Sequence, residues 1–176
     1  MRMPFHILAV SLPLAMPAMA AVSPPAGLTS SIVASADEEP VFVLRGEGTH
    51  VFECKPLPND PNRYAWFFSS PDATLYDAGR PVARNAAENM FEAIGDRSTV
   101  TASIRARQDG GSNNLPWLLL RAQSTTDAGL FAGVTSVQRV NTAGGVAPDT
   151  GCDANNVGKE ARTAFRADYY FYRHRG

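Results

Sequence analysis

From Arg162 to Arg173 the chain reads RTAFRADYYFYR. Phe165, Ala167, Tyr169 and Phe171 take every second place, and Ala164, Arg166, Asp168, Tyr170 and Tyr172 alternate with them. A period of two is that of a strand, whose successive side chains point to opposite faces. The first set belongs to a core. The second belongs to a polar-aromatic outer or cleft face. Comparable runs recur upstream as PVFVL, HVFEC, RYAWFF, ATLYD, STVTASIRAR, LPWLLLRAQ and LFAGVTSVQRVNT. They are rich in β-branched and aromatic residues and are bounded by turn-forming clusters: PNDPN, SPD, AGRP, DGGSNN and AGGVAPDTG. Gly46 and Gly48 mark a break between the first two runs, and RNAAENMFEAIG is the one stretch with helical character, a single helix or a loop. Short strands at this spacing define an all-β fold, a mostly antiparallel β-sandwich or barrel-like single domain over residues 39–176.

The chain has 176 residues, enough for one domain with a proper core. A formal net charge of −1 gives no electrostatic reason to expect nucleic acid as a partner. The first twenty residues, MRMPFHILAVSLPLAMPAMA, place Arg2 before a short apolar stretch and Ala18-Met19-Ala20. That order is the pattern of a signal peptide cleaved after Ala20. An uncleaved anchor or a buried helix is the alternative. No later stretch is long and apolar enough for a transmembrane helix. Residues 21–38, small, Pro-containing and aperiodic, read as a flexible lead-in.

Export bears on the two cysteines that remain, Cys54 and Cys152. In an oxidising compartment two cysteines pair as a disulfide, the alternative being two separate buried thiols.

The chemistry-bearing residues are few. His50 lies on a strand two residues from Phe52 and reads as a surface or rim histidine, and His174 lies at the C-terminus. No G-x-S-x-G elbow supplies a nucleophile for a histidine-based triad, and the pattern assigns no metal. Asp72, Asp77, Asp149, Asp153 and Asp168 sit at strand ends or in turns, where carboxylates cap turns. Arg139 and Asn141 read as sharing one strand face. An arginine there needs a partner, and Asp168 is the candidate. With Trp66, Tyr170 and Tyr172 they form the candidate ligand-binding set: Trp66, Arg139, Asn141, Asp168, Tyr170 and Tyr172.

NLPWLLLRA, then GLFAGVTSVQRVNTAGGVAPDTGCD and ADYYFY, resemble a secreted family of bacteria and fungi described as domain of unknown function 3455. GEGTHVFEC and WFFSSPDATLYD fit the same pattern in the same order, so the resemblance covers roughly residues 40–173. It implies an exported, β-rich protein and a pairing partner for each cysteine. Some relatives carry a dehydrogenase label. The residues here oppose it: GEGTHV lacks the third glycine of a dinucleotide fingerprint and leads into a strand, not a helix N-terminus. No cofactor is assigned. The chain also departs from the family. Where relatives carry a His, a Gly-Pro pair and a Trp before an Asp-Gly-Ser turn, it reads ARNAAENMFEAIGDRSTV, with Phe91 near the Trp position.

These readings favour a secreted, non-catalytic domain that binds an envelope or extracellular ligand such as a glycan. The alternatives are an extracellular polymer hydrolase using paired carboxylates and a structural envelope protein.

Overall fold

The computed structural model describes residues 22–176. The export signal read over residues 1–20 lies outside them. Eight strands follow one another: β1 (Glu38–Leu57), β2 (Asp60–Asp77), β3 (Arg80–Ala87), β4 (Met90–Ala93), β5 (Thr99–Gln108), β6 (Trp117–Thr125), β7 (Ser136–Gly144) and β8 (Glu160–His174). Each pairs antiparallel with the next, and β8 pairs with β1, from Glu38↔His174 to Glu53↔Glu160. The all-β expectation therefore holds, and of the two architectures the protein adopts the closed barrel. Closure gives every strand a partner on each side.

The alternation of β8 fills the interior. Phe165, Ala167, Tyr169 and Phe171 are buried beside Leu44, Leu75, Phe91, Val100, Leu120 and Val137. Phe171 is the hub of an aromatic cluster, 4.8 Å from Phe42, 5.1 Å from Phe131 and 5.4 Å from Phe91 between ring centroids. Phe131 comes from the β6–β7 loop and is fully buried in this cluster. Its neighbour Leu130 donates its backbone N–H to Asp96 at 2.7 Å, and its own N–H reaches Ser98 Oγ at 3.2 Å.

Three local expectations are corrected. Gly46 and Gly48 do not break a strand. β1 runs through them, because a Cβ on Gly48 would lie 2.2 Å from the Asp72 carbonyl oxygen and only glycine allows β1 and β2 so close. SPD is no turn: Ser70, Pro71 and Asp72 lie inside β2. Pro71 lies where the β2–β3 pairing has not yet begun, which it does at Ala73↔Asn85, so β2 has only β1 as its partner there. RNAAENMFEAIG is neither helix nor loop but the β3–β4 hairpin. Its two-residue turn, closed by Ala87↔Met90, is enabled by Asn89 at φ 52° and tied by Asn85 Nδ2 to the Ala87 and Met90 carbonyls.

The segment read as a flexible lead-in lies as a strap along the outside of β5–β7. A single 3₁₀ turn, Ser30–Ile32, presents Ile32, which is fully buried. Gln108 holds the strap at both its side-chain ends, accepting from the Thr29 N–H at 2.7 Å and donating to the Gly27 carbonyl at 3.0 Å. Gln138 donates to the Ile32 carbonyl and accepts from the Tyr172 hydroxyl. Tyr172, assigned from the sequence to an outer face, is therefore buried beneath the strap. Val137 and Val140 point to opposite faces of β7 and both are fully buried, one in the barrel and one under this cover.

Candidate functional site

The end opposite Phe131 carries a cavity of about 410 Å³. Its walls come from His50 and Phe52 on β1, Phe68 on β2, Ile104 and Arg107 on β5, Leu118 on β6 and Arg139 on β7. Gly145, Val146 and Ala147, from the GGVAPDTG stretch, form part of its lip. Gly145 has φ 85°, and a Cβ there would come within 2.8 Å of Leu115 and Phe165, so glycine sets the shape of this lip. Two large apolar side chains, Phe68 and Val146, are exposed at the rim.

His50 is not a surface or rim residue. It is buried, with its ring 4.7 Å from Phe165 and 4.8 Å from Phe68. Burial, followed by the nearby Arg139 charge, lowers its pKa to about 4, against the pull of the Gly145 carbonyl. The imidazole is neutral at neutral pH. The sequence carried a signal for this placement: Gly46, Gly48, His50 and Phe52 alternate on one face, the face that turns inward.

Arg139 lies on the inner wall, in register with Tyr169 of β8. Its Nη2 donates to the Pro116 carbonyl at 3.0 Å, and Tyr169 stands beside it on the facing strand. Burial pushes the Tyr169 hydroxyl above its usual range and keeps it protonated, so it offers a dipole and no charge. Arg139 Nε is buried with no hydrogen-bond partner. Burial also pulls Arg139 below its usual value, with Tyr169 opposing. An arginine nevertheless remains charged throughout the working pH range.

The expected Arg139–Asp168 pair is not formed. Asp168 accepts from Asn141 Nδ2 at 2.8 Å on the exterior. The register between β7 and β8 shifts between Val140 and Ala143, and Asn141 adopts φ 51°. This bulge breaks the alternation, so Arg139 faces in and Asn141 faces out. Of the remaining candidates, Tyr170 lies on the outer side of β8. Trp66 stands opposite Cys54 across β1–β2, and its indole N–H donates to the Thr150 carbonyl at 2.9 Å. Cys54 and Cys152 form a disulfide. The six candidate binding residues are thus dispersed over the strap-covered face, the disulfide loop, the exterior and the interior. Arg139 alone of them lines the mouth. The acids are scattered as well: Asp72 pairs with Arg162, Asp77 with Arg80, and Asp153 caps the turn at Asn155 and Asn156.

Fold and site together define an eight-stranded antiparallel barrel with a cavity at His50, Phe68 and Arg139. Residues 87–173, from the end of β3 through β8, match the family model described as "Protein of unknown function (DUF3455)". No curated protein and no solved structure matches the chain.

Proposed function

We propose that the protein is an exported, non-catalytic binding domain that takes a small envelope or extracellular ligand into the open mouth of its barrel. The observation that carries this reading is the cavity at His50, Phe68 and Arg139. Its volume of about 410 Å³ falls within the range of small-molecule sites, about 300–1,000 Å³. Apolar walls with a few converging polar groups are the usual composition of such sites. Phe68, exposed at the rim, offers an aromatic face on which a sugar ring or another flat ligand stacks. Among the described residues Glu88 is the one acid that lines the mouth, so hydrolysis by paired carboxylates has no comparable support. The disulfide and the absence, among the described residues, of a helix long and apolar enough to cross a membrane accord with export. Export would leave Ala21 as the first residue.

The test is a titration of the purified protein with N-phenyl-1-naphthylamine, a neutral aromatic probe that fluoresces in apolar surroundings. One saturable site is expected. Ile104→Trp, which fills the cavity from β5, should remove it while circular dichroism still reports the barrel. Absence of saturable binding to the wild-type protein rejects the reading.

A further inference from the structure

We propose that the mouth selects an organic monoanion: one acidic headgroup on an apolar, ring-sized body, with Arg139 as its counter-charge. The inference rests on the ligand-binding reading above and adds the chemical class of the ligand. Its basis is a charge without a partner. Among the described residues no carboxylate lies within ion-pair distance of Arg139. Nη2 donates to the Pro116 carbonyl, the uncharged Tyr169 lies in register beside it, and Nε has no partner. A guanidinium carries five donors in a planar fork that matches the two oxygens of a carboxylate. A charge withdrawn from water and met only by dipoles is poorly compensated, and an incoming anion supplies what the fold omits.

The surroundings bias the cavity in the same direction. Arg107, the second arginine in its wall, also has no ion pair among the described residues. Glu88 is the opposing charge, but it is exposed in the β3–β4 turn, whereas Arg139 lies on the inner wall. His50 is uncharged near neutral pH and adds apolar surface between Phe68 and Phe165. Arg139 on the inner wall, with Phe68 and Arg107 exposed at the rim, describes a site for an amphipathic anion with its headgroup turned to Arg139. A long polymer fits a cavity of about 410 Å³ poorly.

The experiment compares two probes that share a ring skeleton, neutral N-phenyl-1-naphthylamine and anionic 8-anilino-1-naphthalenesulfonate. The anion should bind at least tenfold more tightly, with affinity falling as salt rises. Arg139→Gln should bring this preference close to parity, and the exterior variant Asp168→Asn should leave it intact. Should Arg139→Gln fail to fold, Arg107→Gln decides: the preference falls at least threefold and its salt dependence flattens. Saturable binding of the neutral probe with no preference for the anion overturns the inference and leaves the binding reading standing. A preference untouched by Arg139→Gln in a folded protein, or by Arg107→Gln, also overturns it. No binding of either probe rejects the binding reading and the inference with it.

Discussion

Cys54 and Trp66 stand opposite each other across β1 and β2, and both hold the same loop. Cys54 bonds Cys152, and Trp66 donates to the carbonyl of Thr150, two residues before it. The link spans 98 residues, a loop for which chain entropy assigns roughly 4–5 kcal/mol. Reduction, or the Cys54→Ser/Cys152→Ser pair, should lower unfolding free energy by about that amount. Trp66→Phe, which loses the indole hydrogen bond, should cost about 1 kcal/mol. Denaturant unfolding with and without reductant measures both. An unchanged midpoint on reduction would remove the disulfide from any stabilising role.

His50 makes stability depend on pH. Its pKa in the fold, about 4, lies below its ordinary 6.5. Above 6.5 the folded and unfolded chains both hold it neutral. Between 6.5 and 4 the unfolded chain binds a proton that the fold excludes, so stability falls as pH falls. The loss reaches at most about 3 kcal/mol and stops growing below pH 4. His50→Phe should flatten unfolding free energy across this window. A wild-type curve already flat from pH 6.5 to 4 counts against the buried neutral ring.

Ile32 anchors the strap, and its side chain is fully buried. Ile32→Ala should cost about 2–5 kcal/mol if the strap and barrel unfold together. A strap that releases alone instead shows as protease cleavage within residues 22–37 at unchanged barrel melting. Gln138→Leu should act in the same direction, because it strands the Ile32 carbonyl and the Tyr172 hydroxyl.

Asn141 and Asp168 meet on the exterior. Asp168→Asn should therefore change stability by no more than about 1 kcal/mol. Thermal unfolding checks this, and a loss of several kcal/mol would mean that Asp168 serves a buried charge after all.

Where the chain alternates without interruption, the fold was legible: Phe165, Ala167, Tyr169 and Phe171 are inside, as their spacing required. Legibility failed where a period-two count crosses an irregularity. Asn141 in the left-handed region displaces Arg139 and its neighbours onto different faces, and no composition rule marks that bulge. Tyr172 was misplaced for another reason. Its cover comes from an aperiodic segment more than a hundred positions away, held by Gln108 and Gln138 side chains whose partners are backbone groups. The cavity itself draws residues from β1, β2, β5, β6 and β7. Such a site exists only in the closed ring, although the inward turn of His50 could have been read from its spacing with Phe52.

Glu38 pairs with His174, so the first strand waits for the last. The ring cannot shut before β8 has been synthesised, and until then β1 has only β2 beside it. Local hairpins form early, but the seam between β1 and β8 is the long-range step that sets the folding rate. A nascent chain of this topology holds its hairpins as an open ribbon until β8 arrives, and the cavity walled by β1, β2, β5, β6 and β7 takes shape only with that last pairing.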